Sequence, residues 1–159
     1  MPTAPALNET SLVLDTNILN AWRFREEYAQ NEITSYISRF KEPPALTSVT
    51  VFEKLWGLQK RLFQSTIPND KTRLDLSKDE ELIQSCRVLP FDEKAARIAA
   101  YVFAGLSQSQ RNEHWADVFI ASTALAHGCG VATRDVRHFE LIGKHLDPDT
   151  ILRLAKWKP

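Results

Sequence analysis

Short apolar runs alternate along this chain with longer stretches in which apolar side chains return every three or four positions, a pattern of buried strands between amphipathic helices. Leu12-Val13-Leu14 is the first run and predicts a buried strand ending at Asp15. Asp15-Thr16-Asn17 then turns into a helix beginning near Ile18. A helix over about 26–40 places Ile33, Tyr36, Ile37 and Phe40 on one stripe, and Pro43-Pro44 stops it. Ala45-Leu46-Thr47-Ser48 reads as a second strand, followed by a helix from 49 or 51 to 63 that can turn Phe52, Leu55, Trp56 and Leu62 to the core. Residues 65–79, with Pro68-Asn69-Asp70 at their head, are polar and turn-rich, a solvated loop or the start of a helix. From Ser77 to Ser85 the pattern is helical, with Ser77 and Glu80 at the spacing of a capping box.

Further on, Arg87-Val88-Leu89-Pro90 resembles a short strand, and Asp92 can cap a helix carrying Ala95, Ala96, Ile98, Ala99, Val102 and Phe103. Gly105 and the polar stretch 107–113 are expected to end it. The segment 115–126 is apolar on nearly every face, as for a helix laid against a sheet, and Gly128 can close it in a left-handed conformation. Gly130-Val131-Ala132-Thr133 predicts a strand running into Arg134-Asp135, and a last strand is expected around Ile151-Leu152. Strand and helix in alternation predict an α/β fold with a central, mostly parallel sheet flanked by helices. One domain over 11–155, after a flexible leader at 1–10, accounts for the chain, with no internal repeat.

A length of 159 residues supports one substantial core, and 43 % hydrophobic with 25 % charged residues is ordinary for a soluble protein. Twenty basic and twenty acidic side chains cancel, so no general field draws in a polyanion. Nucleic acid would have to be held by local basic groups and metal. Cys86 and Cys129 match neither a metal-binding spacing nor a disulfide framework, and read as thiols of a reducing compartment. The first residues lack the basic and apolar regions of a secretion signal, and no stretch is long enough to cross a bilayer. The expected location is cytoplasmic, with no membrane partner.

Four acids stand beside apolar runs: Asp15, Glu53, Asp117 and Asp135. In a parallel sheet, groups beyond the carboxyl ends of the strands converge on one rim. Asp15 follows the first strand, Asp135 follows 130–133, and Glu53 and Asp117 are placed in the first turns of their helices. Separately each has a structural alternative: a helix cap for Asp15, a capping box with Thr50 for Glu53, the helix dipole for Asp117 and plain solvation for Asp135. Together they would repel, by roughly 4 kcal/mol for a pair about 4 Å apart at an effective dielectric near 20, unless a cation, protons or a basic partner intervene. Oxygen donors alone favour Mg²⁺ or Mn²⁺, and two such ions about 4 Å apart suit phosphodiester hydrolysis by a metal-activated water. Around them, Asn17 can hold Asp15 or a water, or simply form a turn, and Thr133 can donate to a ligand carboxylate. Arg134, Arg137 and His138 can meet phosphates, and Lys54, Lys60 and Arg61 can extend a basic track; a solvated surface accounts for each of these equally well. No Ser-His-Asp arrangement, reactive-cysteine signature or Gly-rich phosphate loop is present.

Four segments in order carry a family resemblance. They are 12–19, with Asp15 and Asn17 in an Asp-x-Asn pattern; 48–57, with Glu53 and Gly57; 115–124, resembling an Asp-x-x-Ile-Ala-Ala helix with Ser122 at the second alanine; and 131–139, resembling Thr-Arg-Asn/Asp followed by His/Asp-Phe. In these the chain resembles the PIN-domain ribonucleases, in particular the VapC-type toxins of toxin–antitoxin pairs. The resemblance implies a Mg²⁺- or Mn²⁺-dependent endoribonuclease with Asp15, Glu53, Asp117 and Asp135 as metal-binding catalytic residues. An Asn is frequent in the family at the position of Asp135. It further implies an RNA substrate, a homodimer and a cognate antitoxin, for which Trp22, Phe24, Trp56 and Leu62 offer an apolar stripe unless the chain's own core takes them. Two other readings stay open: an RNA-processing or RNA-binding PIN protein without a toxin role, and a phosphatase with an Asp nucleophile, although Asp15-Thr16-Asn17 lacks the second Asp that such an enzyme uses as its acid.

Overall fold

Leu12, Val13 and Leu14 are all buried because β1 (Leu12–Leu14) is paired on both edges and covered on both faces. The computed structural model describes residues 5–67 and 69–159. On one side β1 pairs in parallel with β4 (Gly130–Thr133), Leu14 opposite Ala132, and β4 pairs in parallel with β5 (Leu154–Lys156). On the other, the amide of Leu14 donates to the Ala45 carbonyl at 2.9 Å and that of Ala45 to Leu12 at 3.0 Å. This bridge joins β1 to β2 (Leu46–Thr47), which pairs with β3 (Val88–Leu89). The resulting order is β3-β2-β1-β4-β5, parallel throughout.

Alternation along β1 divides the core in two, since successive strand residues point to opposite faces. Val13, with Val131, packs under α5 (Glu93–Gly105), α6 (Gln108–Ala126) and α7 (Val136–Lys144), among Val102, Val118, Ala121 and Phe139. Leu12 and Leu14, with Ala132, pack under α1 (Thr16–Arg23), α2 (Glu27–Phe40) and α4 (Asp70–Gln84), among Ile18, Leu19, Ile33, Tyr36 and Ile83. Helix α3 (Ser48–Gln64) leaves the end of β2 and touches α6 and α4. Strand order reverses at β1 and β4, so a crevice opens beyond their carboxyl ends.

Several elements differ from the sequence reading. The polar stretch 107–113 is not a break but the start of α6, where Gln110 N donates to Ser107 Oγ at 3.1 Å and Ser107 N donates to Gln110 Oε1 at 2.9 Å. A capping box is made of the same polar residues as a loop, and the pattern misled for that reason. Helix α4 likewise starts earlier, with Asn69 Oδ1 accepting from Thr72 N, which leaves Ser77 inside the helix and no capping box there. Pro68 lies outside the described residues. The last strand falls at Leu154–Lys156 rather than at 151–152, and Trp157 after it is buried in the α1/α2 core. In the expected leader, residues 1–4 lie outside the described residues, while Leu7–Glu9 form a 3-10 turn. Gly128, at φ 71°, closes α6 as its sequence position suggested. No described helix is long and apolar enough to cross a membrane.

Candidate metal centre

Parallel pairing of Leu14 with Ala132 sets Asp15 next to Thr133, each one residue past that register. Asp15 caps α1: its Oδ1 accepts from Thr16 N at 2.7 Å, and its Oδ2 accepts from the Thr133 hydroxyl at 2.8 Å. The fully buried Thr133 is used twice, because its Oγ1 also accepts from Asp135 N at 2.9 Å.

Glu53 is neither in the first turn of its helix nor part of a capping box. Thr47 caps α3 and its hydroxyl engages both the amide and the hydroxyl of Thr50. Glu53, on the second turn, is free to reach α1, where its Oε1 accepts from Thr16 Oγ1 at 2.7 Å. Thr16 thereby orients two carboxylates at once, Asp15 through its amide and Glu53 through its hydroxyl.

Asp117 lies in the middle of α6, not in its first turn, since the helix begins at Gln108. Its Oδ2 is 3.1 Å from His138 Nδ1 and 3.7 Å from His114 Nδ1. Asp135 precedes α7 without capping it and is substantially exposed; its Oδ2 lies 3.2 Å from the other nitrogen of His138. Asp15, Glu53 and Asp117 therefore lie near enough for their charges to interact, and Asp135 is tied to Asp117 through His138.

The charges of the three pocket acids act on one another. Burial first, then the Asp117 charge, pushes the Asp15 carboxyl up to about 6, against the lowering effect of its two hydrogen bonds. Glu53 is raised by burial and by Asp117, and Asp117 is raised by burial against the pull of His138 and His114. Among the described residues no lysine or arginine forms an ion pair with any of the three; the neighbouring Lys54 pairs with Asp79 instead. Mutually repelling oxygen donors, one buried and two partly so, without a paired lysine or arginine among the described residues fit a hard divalent cation. Glu113, His114 and His138 form a second group able to hold a divalent ion, with one donor atom from each within 4.8 Å of the others.

The remaining expected residues are more scattered. Asn17 is exposed on the first turn of α1, and Arg137 is exposed on α7. Arg134 lies over the Tyr28 ring at 5.7 Å. Lys54 is committed to Asp79, and Lys60 sits over Trp56, so the expected basic track reduces to Arg61 on a cleft of about 370 Å³ that also meets Thr16 and Glu53. Trp22 and Phe24 line one cleft, Leu62 another, and Trp56 stacks on Phe52, so these four do not form one stripe. Sequence reasoning missed Thr16, Glu113 and His114. The spacing of His114, one turn before Asp117, would have flagged it had the helix been started at 108.

The family model "PIN domain" matches residues 12–144. VapC ribonuclease Y4jK of Sinorhizobium fredii (strain NBRC 101917 / NGR234) is 34% identical over 138 residues, covering 83% of this chain and 92% of that protein. Plasmid stability protein StbB of Pseudomonas syringae pv. tomato is 32% identical over 133 residues, covering 83% and 93%. The crystal structure of FitAcB from Neisseria gonorrhoeae superposes with a TM-score of 0.58 at 29% identity, covering 82% of this chain and 92% of that one. DNA-bound VapBC from Salmonella typhimurium gives a TM-score of 0.70 at 23% identity, covering 94% and 99%, a likeness of fold.

Proposed function

This chain belongs to the PIN-domain family, in its VapC-type branch, and from that premise we propose that it is a Mg²⁺- or Mn²⁺-dependent endoribonuclease toxin of the cytoplasm, restrained by a cognate antitoxin. One observation carries the reading: the carboxylates of Asp15, Glu53 and Asp117, the first buried and the other two partly so, act on one another beyond the strand ends of a parallel sheet, and among the described residues no lysine or arginine pairs with them. Asp15, Glu53 and Asp117 would hold the cation, with Asp135 contributing from the rim. When bound, the cation supplies Lewis-acid stabilisation of an RNA phosphodiester and activates a water for in-line attack.

The chain's own groups prepare that chemistry. Thr16 and Thr133 fix the two oxygens of Asp15 in different directions, and Thr16 holds Glu53 toward the same pocket. His138 spans Asp117 and Asp135, so it can keep the exposed carboxylate aligned with the buried one. Arg134 and Arg137 stand on the rim beside Asp135 and Arg61 on the adjoining cleft, where they can receive the phosphates on either side of the bond that is cut.

Two surfaces support the partners. A cleft of about 930 Å³ lined by Trp22, Phe24 and Leu82, with Arg23, Arg25 and Lys78, suits an antitoxin segment of mixed apolar and acidic character. Exposed Phe52, Trp56 and Trp115 make an aromatic face suited to a homodimer.

Purified protein should cut RNA when Mg²⁺ or Mn²⁺ is added and stop when a chelator removes it. Undiminished cleavage in chelator overturns the metal-dependent reading. Cleavage without growth arrest on expression would point instead to an RNA-processing PIN protein.

A further inference from the structure

We propose that Glu113, His114 and His138 form a second cation site, selective for imidazole-preferring metals of the Zn²⁺ class, which meets the carboxylate centre at Asp117. Binding at this site needs no RNA and does not depend on the nuclease reading.

The side chains present both nitrogen and oxygen donors. One atom from each lies within 4.8 Å of the other two. Metal–ligand bonds of about 2.0–2.2 Å place tetrahedral donors roughly 3.5 Å apart, so closure requires about 1 Å of movement. Glu113 is exposed and unconstrained enough to make it, and its Oε2 is already 3.7 Å from His114 Nε2. Exposure of Glu113 and partial exposure of His138 leave the site open to solvent on one side.

A second observation singles out His114. Its side chain is only 8% exposed, yet its Nδ1 is buried without a hydrogen-bond partner among the described residues. That nitrogen lies 3.7 Å from Asp117 Oδ2, farther than the 3.1 Å at which His138 meets the same oxygen. With Nδ1 turned to Asp117, Nε2, 3.7 Å from Glu113 Oε2, is the nitrogen left to meet a cation. The two rings pack edge to face with centroids 4.5 Å apart, so both imidazoles border one small volume. Asp117 faces Nδ1 of each ring, the arrangement by which a carboxylate orients metal-binding histidines and makes them more basic, and a cation on His138 Nε2 replaces the 3.2 Å contact of that atom with Asp135.

Donor chemistry separates the two sites. Imidazole suits Zn²⁺ and Ni²⁺, whereas Mg²⁺ demands oxygen and sheds its waters reluctantly. Zn²⁺ should therefore choose the histidines, and Mg²⁺ the carboxylates around Asp15.

The test titrates the metal-free full chain with ZnCl₂ and, separately, MgCl₂ by calorimetry, while NMR follows the histidine ring protons. Zn²⁺ should bind at least tenfold more tightly than Mg²⁺ and shift the rings of His114 and His138. Glu113→Gln and His138→Gln should each weaken Zn²⁺ by on the order of tenfold or more, with Mg²⁺ affinity unchanged in Glu113→Gln. Asp15→Asn should weaken Mg²⁺ and spare Zn²⁺. Because His114 is buried, His114→Gln is read only after its thermal melt shows a folded protein, and the two exposed variants decide the matter without it. Zn²⁺ affinity that survives both of those variants, or that disappears with Asp15→Asn, overturns the proposal.

Discussion

Asp15 and Asp79 are equally buried, each 4% exposed, but the protein treats their charges in opposite ways. Asp79, on α4, lies 3.0 Å from Arg23 Nε and 3.3 Å from Lys54 Nζ, and Arg23 also reaches Asp75 at 3.2 Å. Asp15 has two hydroxyl or amide donors and two acidic neighbours. The same two helices serve both places. Helix α1 gives Thr16 to the acid pocket and Arg23 to the ion pairs; α3 gives Glu53 to the first and the adjacent Lys54 to the second. The cations needed to neutralise the pocket exist within a turn or two and are directed elsewhere. A buried carboxylate with its cations in place belongs to the packing of the helices; one left without them is poised for an ion from outside.

Exchanging the acids for amides should sharpen that contrast most. Asp15→Asn should lower RNA cleavage on the order of 100-fold or more, as expected when a group on which metal binding depends is lost. It should also stabilise the metal-free protein at neutral pH. A shift from 3.8 to about 6 corresponds to about 3 kcal/mol for a group this buried. The sign follows from linkage: a carboxyl raised in the folded state contributes stability fully present below its unfolded value and lost as pH rises toward 6. Urea melts of metal-free wild type and Asp15→Asn should therefore differ most near pH 7 and draw together toward pH 4. A wild type as stable as the variant at pH 7 would mean that the pocket carries no such strain.

Asp79→Asn should do the reverse. It takes from Lys54 its ion pair and leaves Arg23 with Asp75 alone, so a loss of about 3 kcal/mol is expected in the same melts, with Mg²⁺ affinity retained by the folded fraction. Thr133→Val comes next: removing the donor to Asp15 should weaken Mg²⁺ by roughly 10- to 100-fold in a calorimetric titration while the fold persists. Asp135→Asn should be mildest, well under the effect of Asp15→Asn in the cleavage assay, because the Asp135 side chain is 41% exposed and its carboxylate meets Asp117 through His138.

Where the sequence could be read and where it could not follows from how local each feature is. Leu12-Val13-Leu14 ending at Asp15, and Gly130 to Thr133 ahead of Asp135, are visible as apolar runs closed by an acid, because burial and chain direction are both encoded within a few residues. The starts of α4 and α6 were hidden because Asn69, Ser107 and Gln110 cap helices with the chemistry that loops also use. The bridge from Thr16 to Glu53 depends on how α1 meets α3, and no local pattern records it. The sequence offers Lys54 a basic track or a solvated face and no ion pair, because its partner, Asp79, lies on a helix whose extent the polar pattern does not reveal.

The hydroxyl of Thr133 reaches Asp15 across 118 positions of chain. During translation Asp15 leaves the ribosome long before Thr133 has been made, and Asp117 too comes late. An unfinished polypeptide consequently carries solitary acids and no cutting centre. On the proposed function, RNA cleavage is therefore withheld until synthesis has passed Thr133.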